Sequence, residues 1–264
     1  MSRRRVSAGL LRAAVCLGAA LAAPLAAGQT PDGQRRSGYD DMSKSVQAMQ
    51  DDDMANPGML WVRDGEGLWN RRVGSADKAC ADCHAGIGSI SGVAARYPAF
   101  EATLGRPIAL EQRINLCRTN HQRTEPLGPE SRELLALSAY VAQQSRGQPI
   151  APPADPRLQP FIEGGEALYA RRQGQLNLSC AQCHDDNSGR KLGSATIPQG
   201  HPSAYPIYRL EWQSLGSLKR RLRNCLIGMR AEPYDYGAQE YVDLELFLMS
   251  RARGMKLESP GVRP

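Results

Sequence analysis

The segment Cys180-Ala181-Gln182-Cys183-His184 has the spacing of a c-type haem attachment site. Each of the two thiols can form a thioether with one vinyl group of haem, and the histidine that follows can supply an axial nitrogen to the iron. A single copy could also be a redox or zinc-binding pair. A second copy, Cys80-Ala81-Asp82-Cys83-His84, lies one hundred residues earlier. Two copies in one chain predict a dihaem cytochrome c.

The N-terminal residues predict export. Arginines at positions 3–5 precede an almost wholly apolar run from Ala8 to Ala27, which ends at Gly28. We interpret residues 1–28 as a signal peptide. A membrane anchor is the alternative, disfavoured because the run is short and contains Pro24 near its end. Since bacteria attach c-type haem after translocation, the periplasm is the expected location.

The charge of the chain argues against nucleic-acid binding. The formal net charge is +6, but four of the arginines lie in the predicted signal peptide. The mature protein is therefore only weakly basic, and no basic helix interleaved with aromatic residues follows. Local arginine clusters are more informative than the total charge.

The chain repeats itself after the signal peptide. Residues 65–72 match residues 165–172 at an offset of 100, and residues 113–117 match residues 221–225 at an offset of 108. Tyr97-Pro98 and Tyr205-Pro206 share the second offset. A repeat of about a hundred residues predicts two domains of one kind. The predicted boundaries are an N-terminal arm at 29–58, a first domain at 59–148, a Pro-rich linker at 149–158 and a second domain at 159–264.

The fold class predicted for both domains is all-α, as two tandem cytochrome c-like domains. In each repeat, a helix precedes the haem motif, a Gly- and Pro-rich loop follows it, and a closing helix has apolar residues at helical spacing. These apolar positions are core candidates: Leu134, Leu135, Leu137, Tyr140, Val141, Tyr241, Leu244, Phe247 and Leu248. The polar arm is expected to be extended along the protein or a partner, with solvated disorder as the alternative.

Cys117 and Cys225 are left over and occupy equivalent positions in the repeat. They could form a disulfide between the domains, remain inert thiols, or each ligate the haem iron of its own domain as a thiolate. The repeat favours ligation, because that role requires only the same internal geometry twice. The commoner sixth ligands are histidine and methionine, but His121, His201 and Met229 have no counterpart in the other half.

Arginines surround the second of these cysteines, at positions 220, 221, 223 and 230. Arg221 precedes Cys225 by four residues, so on a helix the two side chains share a face. Guanidinium groups lower the pKa of a nearby thiol and bind oxyanions in a forked geometry. A solvated basic face is the alternative. The second domain is therefore the predicted active site.

The two haem motifs, the lone cysteine after each and the segment Arg221–Arg230 together resemble the SoxA family, the dihaem subunits of SoxAX cytochromes. The resemblance covers essentially the whole mature chain. It implies an L-cysteine S-thiosulfotransferase that joins thiosulfate to a cysteine of the SoxYZ carrier protein. It also implies a SoxX-type cytochrome c partner, which forms a heterodimer with the chain, and a cytochrome c electron acceptor.

The same resemblance implies a role for each site residue. Covalent attachment of two c-type haems falls to Cys80, Cys83, Cys180 and Cys183. The axial ligands would be His84 and Cys117 for the first haem and His184 and Cys225 for the second. Cys225 would also be catalytic, as a persulfide, and Arg221 would bind thiosulfate.

Two other classes of function compete with this interpretation. A plain electron-transfer dihaem cytochrome would explain the motifs and the repeat, but not the two distal cysteines or the arginines. A dihaem peroxidase would need a five-coordinate haem with an open distal site. An absorption spectrum that shows a vacant site or a methionine–iron band would distinguish these from thiolate ligation.

Overall fold

The structure, a computed structural model, describes residues 35–84 and 86–264, so the predicted signal peptide lies outside it. The described chain is mostly helical, as predicted. Its helices are α1 (Lys44–Asp51), α2 (Met59–Asn70), α3 (Leu110–Cys117), α4 (Arg132–Gln143), α5 (Gln159–Ala170), α6 (Cys180–His184), α7 (Leu218–Gly228) and α8 (Gln239–Arg251). Within these ranges, no helix is both long and apolar enough to cross a membrane.

Short strands are present as well, which corrects the all-α prediction. They are β1 (Ala99–Glu101), β2 (Arg106–Ile108), β3 (Lys191–Leu192), β4 (Ala195–Thr196), β5 (Ile207–Arg209), β6 (Ser214–Gly216) and β7 (Gly261–Arg263). β1–β2 and β3–β4 are antiparallel hairpins, and β5 pairs with β6 antiparallel and with β7 parallel. Each strand has two or three residues, too few for an alternating pattern to be visible in the sequence.

Two pairs of packed helices form the framework of the two halves, α2 with α4 and α5 with α8. A glycine lies at each crossing. A Cβ atom on Gly65 would lie 2.1 Å from the carbonyl oxygen of Ala136, and one on Gly165 would lie 2.1 Å from that of Asp243. The absence of a side chain at these two positions lets the backbones approach closely. Each crossing is therefore fixed at the same point in both halves.

Aromatic residues pack beside each crossing in the same way. The rings of Trp69 and Tyr140 lie 5.7 Å apart in the first half, and those of Tyr169 and Phe247 lie 5.4 Å apart in the second. Both pairs are tilted by 54°. Such pairs add about 0.5–1.5 kcal/mol to the stabilisation that comes from burial. In each half, the aromatic pair joins the helix that precedes the haem motif to the closing helix that follows it.

The two halves pack against each other. Tyr208, Leu215 and Val262 of the three-stranded sheet belong to the same hydrophobic cluster as Trp61 and Leu137 of the first half. The predicted linker takes part in this packing. Its Ile150 is fully buried, and the backbone N–H of Ile150 donates to the carbonyl of Met255 at 2.8 Å. Residues 149–158 are thus held against the second half along part of their length.

The N-terminal segment differs from the extended arm that the sequence predicted, because it contains α1. Ser43 caps this helix, since its side chain accepts from the backbone N–H of Val46. The segment lies against the C-terminal residues. The side-chain amide of Asn56 donates to the carbonyl of Pro260 at 3.0 Å, and the side chain of Gln50 accepts from the N–H of Val262 at 2.9 Å. The segment therefore packs on this chain.

Candidate active site

A cavity of about 450 Å³ lies in the second half, between α5, α6, α7 and α8. Its walls are mainly apolar side chains, among them Leu178, Leu222, Leu244 and Leu248. The cavity brings together all five site residues that the sequence predicted for this half: Cys180, Cys183, His184, Arg221 and Cys225. An apolar cavity with a few converging polar groups is the usual form of a cofactor site.

Helix α6 places the haem motif at the cavity. Ser179 and Gln182 form a capping box at its start. The Ser179 hydroxyl accepts from the N–H of Gln182 at 3.2 Å, and the Gln182 side chain accepts from the N–H of Ser179 at 2.9 Å. At the end of the helix, Nδ1 of His184 donates to the carbonyl of Pro198 at 2.7 Å. This bond fixes the imidazole and leaves Nε2 free to act as a ligand.

Helix α7 brings Cys225 to His184. Burial would raise the pKa of the Cys225 thiol, but the interaction with His184 and the positive charges of Arg221 and Arg209 outweigh burial, so the pKa is lowered. A histidine nitrogen and an acidic thiol thus meet in an apolar cavity beside two further thiols. These residues fit a c-type haem, which Cys180 and Cys183 would attach and His184 and Cys225 would help to hold.

Two of the three other candidate ligands named from the sequence lie at the cavity, and the third does not. Met229 and His201 also line the cavity, and His201 Nδ1 is hydrogen-bonded to the carbonyl of Arg36. His121 is exposed in the π-helical turn that follows α3. The six cysteines of the described residues are all free, so the disulfide between Cys117 and Cys225 is not formed. Of the three roles considered for Cys117 and Cys225, haem ligation and an inert thiol remain.

Only one member of the predicted arginine cluster, Arg221, lines the cavity. Arg220 stacks on the ring of Trp212 at 4.2 Å, and Arg223 stacks on the ring of Tyr236 at 4.5 Å. These two guanidinium groups therefore have structural roles outside the cavity. The positive charge that acts on Cys225 comes from Arg221 and from Arg209, the last residue of β5. Arg209 was not among the predicted site residues.

The Arg209 side chain is only 15% exposed. One guanidinium nitrogen of Arg209 forms an ion pair with Glu211 at 3.1 Å, but the Nε atom is buried and has no hydrogen-bond partner among the described residues. Burial and the neighbouring charge of Arg221 lower the pKa of Arg209. Two cations thus lie close together near Cys225, an arrangement that an anion would stabilise.

The corresponding positions of the first half carry opposite charges. Glu101 and Arg113 lie 108 positions before Arg209 and Arg221, and they form an ion pair. Arg113 also donates from Nε to the Tyr97 hydroxyl at 3.1 Å. The arginine beside Cys117 is therefore neutralised within its own half. Burial raises the pKa of the Cys117 thiol, although the charge of Arg113 lowers it in part.

The first half places its predicted haem residues near one another. Burial raises the thiol pKa values of Cys80 and Cys117, and nearby thiols raise them further: Cys117 and Cys83 at Cys80, and Cys83 at Cys117. The ring of His84 packs against that of Trp69 at 5.2 Å. The backbone N–H of Ala79 donates to the carboxylate of Asp82 at 2.9 Å, which starts the turn that carries the motif. This arrangement fits a second c-type haem.

Comparison with known proteins identifies the family. A family model described as SoxA/TsdA, cytochrome c domain, matches residues 64–150 and again residues 164–257. SoxA of Rhodovulum sulfidophilum, an L-cysteine S-thiosulfotransferase subunit, is 35% identical over 232 residues, which is 86% of this chain and 80% of the relative. SoxA of Pseudaminobacter salicylatoxidans is 38% identical, over 80% and 75% of the two chains. The chain belongs to the SoxA family.

A solved SoxA structure has the same fold. The crystal structure of SoxXA from P. pantotrophus matches with a TM-score of 0.84 and 31% sequence identity, and the match covers 87% of each chain. The helical cytochrome c fold and c-type haem binding predicted from the sequence are thereby confirmed. The family resemblance stated from the motifs is confirmed as well.

Two site residues of this SoxA-family chain escaped the sequence analysis. Arg209 was missed because it does not lie on the helix that carries Cys225. Pro198 was missed because it acts through its backbone carbonyl, which every residue type has, so the sequence does not single it out. A signal for Arg209 was available. The offset that relates Tyr97-Pro98 to Tyr205-Pro206 also pairs Glu101 with Arg209, and a change from acid to base at equivalent positions marks a difference between the halves.

Proposed function

We propose that this protein is a periplasmic dihaem SoxA subunit that couples thiosulfate oxidatively to a cysteine of a SoxYZ-type carrier protein. A SoxX-type cytochrome c would be its partner and a further cytochrome c the electron acceptor. One observation carries the proposal. Arg209 and Arg221 both lie near Cys225, and where Arg113 pairs with the carboxylate of Glu101 in the first half, Arg221 faces a second cation, Arg209.

Internal duplication and two haems are part of this proposal. The family model matches twice, and the crossing glycines, the aromatic pairs and the haem motifs recur at offsets of 100 or 107 residues. In each half, two motif cysteines would attach the haem covalently, Cys80 and Cys83 in the first and Cys180 and Cys183 in the second. The axial ligands would be His84 with Cys117 and His184 with Cys225.

The charges around Cys225 match thiosulfate. A dianion that approaches a thiolate is repelled, so positive charge at the reacting sulfur must offset both negative groups. Guanidinium groups suit this role because their forked donors match sulfonate oxygens. We propose that Arg221 donates hydrogen bonds to some of the sulfonate oxygens, and that Arg209 donates to another from its Nε. Glu211 limits the free charge of Arg209 and is half exposed.

The overall reaction requires an electron sink. A carrier thiol and thiosulfate form one sulfur–sulfur bond and release one proton and two electrons. Haem, when bound, accepts these electrons one at a time. In this chain Cys225 would carry the reacting sulfur as a persulfide, His184, fixed by Pro198, would help to hold the haem, and the two arginines would hold the anion. The apolar walls of the cavity limit access of water.

Variants of the haem-loaded complex test the assignment. We expect Cys225→Ala and Arg221→Ala to lose most thiosulfate coupling to the carrier while both haems stay attached, as measured by mass spectrometry of the carrier. Cys117→Ala is the matched control, because it removes the equivalent thiol of the other half; it should retain far more coupling. Near-normal coupling by Cys225→Ala would refute the catalytic role.

Spectroscopy separates this function from its main alternative. Low-temperature electron paramagnetic resonance of the oxidised protein should show low-spin histidine–thiolate signals. One such signal should be lost in Cys225→Met and the other in Cys117→Met. Wild-type signals of the histidine–methionine or bis-histidine kind would remove cysteine from the iron and favour a plain electron carrier.

A further inference from the structure

A second, much smaller cavity lies where the two halves meet. Its volume is about 40 Å³, room for about three water molecules at 10–15 Å³ each. Equivalent residues of the two halves line it in pairs: Tyr97 with Tyr205, Leu110 with Leu218, Ser138 with Glu245, and Ala142 with Met249. The cavity thus lies where the two copies of the repeat face each other.

The polar residues at this interface differ between the copies. Glu111 on α3 lines the cavity, and its counterpart on α7, 108 positions later, is the buried Lys219. Ser138 on α4 corresponds to Glu245 on α8, and both line the cavity. The Lys219 ammonium group lies near Glu245. The carboxyl group of Glu130 lies near Glu111, and the charge of Arg220 acts on it in the opposite sense. The other titratable groups that line the cavity are the hydroxyls of Tyr97 and Tyr205.

These polar groups are not satisfied by protein atoms alone. Oε2 of Glu111 and Oγ of Ser138 are buried and have no hydrogen-bond partner within residues 35–84 and 86–264. Ser138 is only 1% exposed. A buried polar atom without a partner costs about 1–3 kcal/mol. Both unpartnered atoms belong to residues that line the same cavity, which is large enough for water.

We propose that this cavity is a water- and proton-binding site, in which water binds Glu111 and Ser138 and one proton is shared between Glu111 and Glu245. Two carboxylates with one ammonium group would leave an uncompensated negative charge in the interior, which a single proton removes. The direction of the pKa of Glu245 agrees: burial and the charge of Glu111 raise it to about 8, although Lys219 lowers it in part.

The site adjoins the larger cavity. Pro202, Tyr205 and Leu218 line both cavities and form a common wall. Helix α3, which carries Glu111, ends at Cys117, and α7 carries both Lys219 and Cys225. The proton is therefore held between α3, which presents Cys117, and α8, beside the Lys219 end of the helix that presents Cys225. This site needs neither thiosulfate nor the carrier protein, so it stands apart from the proposed reaction.

Infrared spectroscopy of the haem-loaded complex at neutral pH tests the shared proton. The wild type should show the carbonyl stretch of one protonated carboxyl group, and both Glu245→Gln and Glu111→Gln should lose it, because one carboxylate then faces one ammonium group. Glu133→Gln, at an exposed position on α4, should keep it. Persistence of the band in Glu111→Gln would refute sharing, and absence of the band from the wild type would refute the proton site.

A high-resolution crystal structure of the same complex tests the water. Ordered water should lie within hydrogen-bond distance of Glu111 Oε2 and Ser138 Oγ, and Ser138→Ala should lose one of these contacts. An empty cavity, or direct pairing of Glu111 with Ser138, would overturn the water site.

Discussion

Substitution of the crossing glycine Gly165 by alanine gives a sharp test of how the second half is built. The added Cβ atom would lie 2.1 Å from the carbonyl oxygen of Asp243 and 2.8 Å from the Cβ atom of Phe247. A comfortable carbon–oxygen contact is about 3.3–3.6 Å. Because the obstructing atom is backbone, α5 must move away from α8 by more than about 1 Å.

The expected magnitude follows from two opposing terms. Overpacking of a close interface destabilises by about 1–3 kcal/mol or more, while alanine gains about 1 kcal/mol over glycine as a helix former. Gly164→Ala is the matched control in the same helix, because the nearest atom to its Cβ would be Oδ2 of Asp243 at 3.6 Å. That variant should therefore be stabilised by up to about 1 kcal/mol.

Denaturant unfolding of the haem-loaded protein measures the difference. We expect the midpoint of Gly165→Ala to fall below that of the wild type and the midpoint of Gly164→Ala to equal or exceed it. The two variants should differ by about 1–3 kcal/mol, since the gain in helix propensity is common to both. Equal midpoints would show that the helices do not cross at Gly165, and the packing described for the second half would then be wrong.

Three further outcomes are expected. Arg209→Gln should lower kcat/KM for thiosulfate about tenfold or more, because one charge-assisted hydrogen bond is lost. Arg220→Gln should change kcat/KM little, and equal effects of the two substitutions would exclude Arg209 from the anion site. Asp185→Asn should destabilise the protein by about 2–3 kcal/mol in thermal unfolding, because the Arg251 guanidinium, 6% exposed, loses its ion pair; an unchanged midpoint would contradict this. Since the pKa of Glu245 is raised from 4.5 to about 8, its contribution to stability should be complete below pH 4.5 and lost as the pH rises through about 8. The free energy of unfolding of Glu245→Gln, measured at several pH values, should not show this decrease.

The sequence was sufficient where the chemistry depends on fixed spacing. The two haem motifs, the helical class and the family all followed from short motifs and their offsets, because covalent haem attachment requires two cysteines and a histidine at set positions. The second-half cavity brings together Cys180, Cys183, His184, Arg221 and Cys225, as expected. These residues lie on two helices whose faces were predictable from spacing alone.

The sequence was insufficient where position depends on packing between distant segments. Strands of two or three residues gave no alternating pattern, and the pairing of β5 with β7 joins residues more than fifty positions apart. That sheet places Arg209 near Cys225. The polar composition of residues 29–58 suggested an extended or disordered arm, whereas the described part forms a helix and packs on the C-terminal residues.

That packing has a consequence for how the molecule is assembled. The contacts of Asn56 with Pro260 and of Gln50 with Val262 join residues more than two hundred positions apart. A contact of such long range forms late in folding, because the intervening chain must already be ordered for loop closure to be favourable. The N-terminal segment is therefore expected to dock only after β7 has joined the sheet. We also expect it to detach more readily than the rest of the fold, so that its amides exchange with solvent before those of the helix pairs.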